Sequence, residues 1–440
     1  MTGTAAGAAS AAGGGGAGAP GVLPVPAMVR PLAGAGFALS SATRVVVADD
    51  PGTVAVGTLW AGALVAAGGR DVGLDVAGHG PGSRVPAAGA VVLELVDDLP
   101  ADGSYRLVTD ARRVRVAAAS RDGLVHALAT VRQLLRRGPA GTAVVPAVEV
   151  EDRPVLGWRA LALDVRAGVP DLATMQHLVE LLALHKLDVL HLRLAVWPRG
   201  PAAGEWATLV ALADARGISV LPEVDGPDDG AASGRPAAPA GTDAPGDDAR
   251  HGGPAGPEAL AAAGGWGHAG ESGPGLAPRL HRLAAAGVEP VVRAVPGVVP
   301  GPLPPGALVE VPVGPGFSAA VDLAAVPADA AGVLLRVPLD RARWEDLLAF
   351  DPLAAAGAAA DRVVGVVGAL PGPAPRDLHG LTAALLPALP VLAALAWDPA
   401  VVRDPEGVRR RLAAQPPLWR RLGLPVAALV GRAEPGRPAR

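Results

Sequence analysis

Apolar and polar positions alternate over residues 158–165 (WRALALDV), which predicts a half-buried strand. Asp171 then stands where a helix N-cap belongs, just ahead of LATMQHLVELLALHKL. In that segment Leu172, Met175, Leu178, Val179, Leu182 and Leu187 recur at three- and four-residue steps, predicting a helix with one apolar face. Val189 to Leu194 (VLHLRL) predicts a second short strand. Strand, helix and strand at this spacing predict a parallel βαβ unit, and a run of such units is the (β/α)8 barrel pattern. WATLVALADARG, ending at Gly217, adds a helix, and ISVLPEVD (218–225) a third strand. From 226 to about 278 the pattern dissolves into Gly, Pro, Ala, Asp and Ser, predicting an irregular excursion and a fourth strand that is vestigial or missing. The rhythm resumes in APRLHRLAAAGVEPVVRAV (277–295). Strand candidates follow at 307–313, 319–323, 332–339 and 362–370, and two closing helices at 381–397 and 405–423.

Ahead of the barrel, strand-like alternation at 43–50, 90–98, 104–110 and 113–120 precedes a helix over 121–138 closed by Gly138. This predicts a smaller α+β domain in which His126 is a partly exposed helical histidine. The fold class is therefore α/β: a partly degenerate (β/α)8 TIM-type barrel over 154–440 with a low-complexity insertion at 226–278, preceded by an α+β domain over 22–153. Residues 1–21 are Ala/Gly-rich and predicted to be disordered.

Composition narrows the function classes. With 440 residues there is room for two domains. A net charge of −4 points to neither nucleic acid nor an anionic membrane as partner. The absence of cysteine excludes disulfides, thiol catalysis and thiolate metal sites. The longest apolar run, 381–397, is interrupted by Pro387 and Pro390 and falls short of a span, so a buried barrel helix is expected there. The N-terminal stretch has no basic region or apolar core of a secretory signal, which makes the expected location cytoplasmic by default. No phosphate loop, dinucleotide fingerprint or zinc spacing is present, so no cofactor and no metal is expected.

RPVLGWRALALDV, a helix, and then LLALHKLDVLHLRL resemble the opening of the catalytic barrel of glycoside hydrolase family 20, the β-N-acetylhexosaminidases. DGLVHALATVRQLL after its strands resembles the non-catalytic domain that precedes that barrel, and LAALAWDP resembles its close. The resemblance implies a retaining glycosidase in which the substrate's own 2-acetamido oxygen attacks the anomeric carbon. An Asp on the fourth strand orients that group, and the adjacent Glu protonates the leaving oxygen.

Position by position, the motifs depart from the family. Its His-Xaa-Gly-Gly-Asp-Glu has no counterpart; the nearest string is GHAGES at 267–272, with no apolar strand leading in, which leaves Glu271 as the candidate acid. After the first strand Asp164 and Val165 match, but Arg166 arrives one residue early, which points it the other way from the family's sugar-gripping arginine. The second strand ends Leu194, Ala195, Val196, Trp197, without the family's acids. On the third, Pro222, Glu223, Val224, Asp225 and Pro227 match, while Asp228 and Asp229 replace Gly and His; the three aspartates read as a cation cluster or as an acidic loop start. AAVDL leaves Asp322 as a sugar-hydroxyl acceptor, with Ala320 at the Tyr position. Leu370, Pro371 and Gly372 take the place of the Trp-Thr-Glu that ends the eighth strand. His185 and His191 fit the pattern as packed, hydrogen-bonded histidines.

The resemblance thus implies a β-N-acetylhexosaminidase-like protein whose partners are N-acetylhexosamine-containing glycans, with catalysis impaired by the missing Asp–Glu pair. Asp164, Arg166, Asp225 and Asp322 are its candidate sugar contacts. Two alternatives stand beside it: an active hexosaminidase with Glu271 as acid, and a non-catalytic carbohydrate-binding pseudoenzyme or decayed product.

Overall fold

The computed structural model describes residues 21–68, 71–77, 88–138, 141–196, 198, 200–224, 266–268, 289–293, 303–314, 323 and 326–426. Glu271, Asp225, Asp228, Asp229, Asp322 and Trp197 lie outside them, as do most of the excursion over 226–278 and all but Leu323 of the strand candidate at 319–323.

The N-terminal domain comprises β1 (Met28–Pro31), β2 (Phe37–Ala38), β3 (Arg44–Ala48), α1 (Pro51–Ala66), β4 (Gly73–Ala77), β5 (Ala90–Leu95), β6 (Tyr105–Thr109), β7 (Arg113–Ala118), α2 (Arg121–Leu134), β8 (Arg136–Arg137), β9 (Ala143–Val145) and β10 (Val148–Asp152). Seven of these strands form one mixed sheet in the order β1-β10-β6-β7-β5-β3-β4. Alternation along β6 and β7 buries Tyr105, Leu107, Val114 and Val116 under α1 and α2. Each helix starts on a side-chain cap: Asp50 accepts from the Thr53 N–H and Ser120 from the Gly123 N–H.

The barrel follows: β11 (Trp158–Asp164), α3 (Leu172–Leu184), β12 (Val189–Leu194), α4 (Pro201–Asp214), β13 (Ser219–Val224), β14 (Trp266–His268), β15 (Glu289–Arg293), β16 (Leu308–Pro312), β17 (Gly332–Pro338), α5 (Pro352–Ala356), β18 (Val363–Pro373), α6 (Leu378–Leu385), α7 (Ala388–Trp397), α8 (Pro405–Ala413) and α9 (Pro416–Arg421). The eight strands form one curled parallel sheet in the order β13-β12-β11-β18-β17-β16-β15-β14, a TIM-type barrel. Period-two alternation splits each strand between two cores. Trp158, Ala160, Ala162, Val189, Leu221, Leu334 and Val367 fill the barrel interior, while Leu161, Leu163, Leu190 and Leu192 face the helices. Asp171 caps α3 as expected, accepting from the Thr174 N–H at 2.7 Å.

Several expectations are corrected. α2 stops at Leu134 rather than Gly138: Leu135 turns extended, and Arg136–Arg137 pair with β9 through a hairpin closed by the Gly138 N–H on the Thr142 carbonyl. His126 is buried, not partly exposed, with Nδ1 3.0 Å from the Gly103 carbonyl and its ring edge-on to Trp397, because the barrel packs over that face. The run at 381–397 is two helices, α6 and α7, bent by 55° at Leu386–Pro387, and every residue of α7 is buried. Among the described residues no single helix is long and apolar enough to cross a membrane. The last predicted helix is likewise two, broken ahead of Pro416.

The two domains meet around a buried ion pair. Lys186 and Asp152, both with fully buried side chains, lie 2.6 Å apart. Asp152 also accepts from the Tyr105 hydroxyl (2.8 Å), the Trp397 indole N–H (2.8 Å) and the backbone N–H groups of Ala27 (3.1 Å) and Arg153 (2.9 Å). The ammonium packs 4.4 Å from the Trp397 ring centroid. Burial lowers the Lys186 pKa and Asp152 opposes it. Next to it, Arg159 pairs with Asp188 at 2.7 Å, and burial raises the Asp188 carboxyl to about 6 against the pull of Arg159. Lys186→Met would strand the Asp152 carboxylate away from water, at a cost of about 3–5 kcal/mol. Guanidinium unfolding should register that loss in full for Lys186→Met, and much less for Lys186→Met combined with Asp152→Asn.

His185 ties a third strut. Its Nε2 accepts from the Trp419 indole N–H (3.2 Å), so its Nδ1 carries the proton and donates to the Leu23 carbonyl (3.2 Å). This arrangement needs the neutral ring, and burial pushes the pKa down to about 4. Above pH 6.5 the ring is neutral in both folded and unfolded chains. As pH falls from 6.5 to 4 only the unfolded chain takes up the proton, so stability falls across that window by roughly 3 kcal/mol. Urea titrations over pH 4–7 should show a steeper slope for the parent chain than for His185→Gln, in which buried His126 still contributes, and the variant should be less stable at pH 7.

Candidate functional site

The same alternation that fills the barrel with Trp158, Ala160, Val189 and Leu334 brings charged side chains inward at the C-terminal ends of the strands. Asp164 ends β11, Arg193 follows His191 on β12, and Glu223 lies near the end of β13. Arg293 ends β15, Glu310 lies on β16 and Arg336 on β17. Sheet register sets opposite charges side by side: Asp164 is level with Arg193, Arg193 with Glu223, and Arg293 with Glu310. Most of them line a cavity of about 340 Å³ at the end of the barrel where such folds carry their chemistry. Its rim is completed by Pro312, Pro338 and the end of β18, Leu370, Pro371 and Gly372.

The ion pairs are dense. Glu223 Oε2 lies 3.0 Å from both His191 Nε2 and an Arg293 terminal nitrogen, and its Oε1 lies 3.6 Å from Arg193 Nε. Arg293 Nε is 3.6 Å from Glu310, which also pairs with Arg336. Both glutamates are 1% exposed, so each buried carboxylate meets guanidinium groups in place of water. Asp164 is held by Arg166 through a fork, Nε to Oδ1 at 3.0 Å and a terminal nitrogen to Oδ2 at 2.6 Å. That hydrogen-bonded guanidinium lowers the Asp164 pKa below the usual carboxylate range.

Of the candidates read from the sequence, the structure brings Asp164 to the cavity and sets Arg166 against it; Glu271, Asp225 and Asp322 lie outside the described residues. The fourth strand is vestigial, as expected: β14 runs only from Trp266 to His268, overlapping the start of GHAGES, and pairs with Glu289–Val291 of β15. Sequence reading passed over Arg193, Arg293, Glu310 and Arg336. The signal was there: a single charge at an inward position of an otherwise apolar strand, as in VLHLRL, LVEVP and GVLLRVP, costs too much to bury unless a neighbouring strand answers it. Among the described residues no group of three His, Asp or Glu side chains is placed to hold a metal ion. Among the described residues no Phe, Tyr or Trp lines the cavity, and its one ring is the buried imidazole of His191.

Residues 19–153 match the family described as glycosyl hydrolase family 20, domain 2. A Cellulomonas fimi protein named beta-N-acetylhexosaminidase is 37% identical over 233 residues, covering 47% of this chain and 46% of that protein. A beta-hexosaminidase of Akkermansia muciniphila is 28% identical over 155 residues, covering 28% of this chain and 31% of that protein. The matched stretch thus spans about half the length, or less, of these curated relatives. The solved GH20 beta-N-acetylhexosaminidase of Streptomyces coelicolor A3(2) superposes with a TM-score of 0.70 at 24% identity, covering 92% of this chain and 97% of that one. That likeness establishes the fold.

Arg166→Gln should let the Asp164 carboxyl titrate at the ordinary aspartate pKa. Carbon-detected NMR titration of that carboxyl checks this; an unmoved midpoint would mean that Arg193, not Arg166, sets it.

Proposed function

We propose, for a chain that belongs to glycoside hydrolase family 20, that it is a β-N-acetylhexosaminidase-like protein whose barrel mouth does not hydrolyse N-acetylhexosaminides at an enzymic rate. The observation that carries this reading is the sequence after β14. The strand ends at His268 and continues Ala269-Gly270-Glu271-Ser272, so the one carboxylate comes three residues after the histidine and has no acidic neighbour. The family pattern places an Asp–Glu pair four and five residues on, one to orient the acetamido group and one to move the proton. Without the orienting Asp, attack by the acetamido oxygen loses its alignment. Without a positioned acid the leaving oxygen departs unprotonated, a loss of roughly 10²–10⁴-fold for that step alone.

The described wall of the mouth supports the same reading. A general acid must hold a proton at working pH, yet Asp164 and Glu223 sit against guanidinium groups that favour their ionised forms. Leu370, Pro371 and Gly372 offer no side-chain hydrogen bond where the family pattern carries Trp-Thr-Glu. The ligands of this mouth, on this reading, are N-acetylhexosamine-containing glycans, the substrate class implied by the names of the relatives.

Purified protein should release no 4-nitrophenol from its N-acetyl-β-glucosaminide above the buffer rate, and Glu271→Gln should behave identically. Turnover at an ordinary enzymic rate, whether lost or kept in Glu271→Gln, would refute the impaired-enzyme reading. Melting curves with N-acetylglucosamine report separately on binding, because a ligand that binds only the folded chain raises Tm. A rise is expected, and its absence would leave the family fold without the family ligand.

A further inference from the structure

A second cavity of about 230 Å³ lies between the domains, away from the barrel mouth. It is lined by Arg132, Arg136, Arg137 and Arg421, and by no Asp or Glu. Its floor is apolar, built from the last turns of α1, α3 and α9 through Ala63, Leu184 and Leu418. Arg132 is answered by Glu180 at 2.9 Å, which Arg216 also holds. Among the described residues Arg136, Arg137 and Arg421 have no hydrogen bond to a side chain and no ion pair.

Four helix C-termini, those of α1, α2, α3 and α9, contribute lining residues, and their carbonyl ends attract cations. Each is worth at most about half a negative charge, or about −2 together. Three arginines without a carboxylate exceed that. The excess appears in the energetics: burial, and then the charges of Arg137 and Arg132, lower the Arg421 pKa. Like charges are thus gathered around a space of small-molecule size, its lining shared between fork-shaped donors and alkyl surface. A guanidinium fork fits two oxygens of a tetrahedral oxyanion, and the floor fits a short apolar body.

We propose that this interdomain cavity binds a small organic phosphate or sulfate ester, the anionic head held by Arg136, Arg137 and Arg421 and the apolar body seated on the floor from Ala63 to Leu418. It is independent of the reading of the barrel mouth, because it shares no residue with that cavity.

Isothermal titration of the full chain with phenyl phosphate, phenyl sulfate, inorganic phosphate and phenol tests both halves of the site. Either ester should bind at least tenfold more tightly than inorganic phosphate and than phenol, and the stronger of the two names the head group. Arg137→Gln and Arg421→Gln should each weaken the bound ester about tenfold or more, the worth of one charge-assisted hydrogen bond. Arg30→Gln, at a surface arginine paired with Glu149 on the opposite side of the first sheet, should leave it unchanged. Affinity should also fall as salt is raised. No heat with either ester, or equal affinity in the parent chain and both cavity variants, overturns the proposal. If, besides, ligand-free Arg421→Gln melts below the parent chain, the arginines serve only to answer the helix ends.

Discussion

Everything in this molecule hangs on a carboxylate that has no access to water. Asp152 ends the last strand of the first sheet, and its two oxygens are met by Lys186, Tyr105, Trp397 and two backbone N–H groups. Those partners come from the first domain, from the turn after α3 and from the end of α7. An ionised carboxyl is tolerable in such surroundings only while its partners are all in place, since each lost bond leaves a desolvated charge. The pair therefore contributes less to net stability than to uniqueness: one relative placement of sheet and barrel satisfies it, and near-misses are penalised steeply.

The barrel mouth repeats that logic in a ring. Asp164, Arg193 and Glu223 alternate in sign across three neighbouring strands, and Arg293, Glu310 and Arg336 across another three. A network of this kind fixes the strand ends rigidly, but it also occupies the charges. Carboxylates engaged by guanidinium groups are poor proton donors, so what holds these strand ends together also ties up their acidic groups.

How far the sequence told this story depended on where the energy lay. The βαβ unit from Trp158 to Leu194 was legible because its strands are period-two apolar and its helix opens on a capping aspartate that the structure keeps. α1 was not, because PGTVAVGTLWAGALVA is apolar all round and interrupted by glycine, so it presents no face to read; only its packing under the first sheet makes it a helix. His126 was misjudged because its burial comes from Trp397, 271 positions along the chain, and no local pattern carries that contact. β14 gave only the expectation of a vestigial or missing strand, since three residues are too few for a period; its partner is the edge of β15. Asp164 and its mismatched arginine were legible as chemistry, whereas the ring of paired charges became visible only once register put the strands level.

Lys186 is the only lysine in the chain, and it is sealed between the domains. The folded molecule therefore presents no ε-amine to solvent. Proteases that cleave after lysine and enzymes that conjugate acyl groups or small proteins to the ε-amine find nothing to act on until sheet and barrel part. The rate at which that one side chain becomes reactive is a built-in clock for domain separation, readable at a single atom without any introduced label.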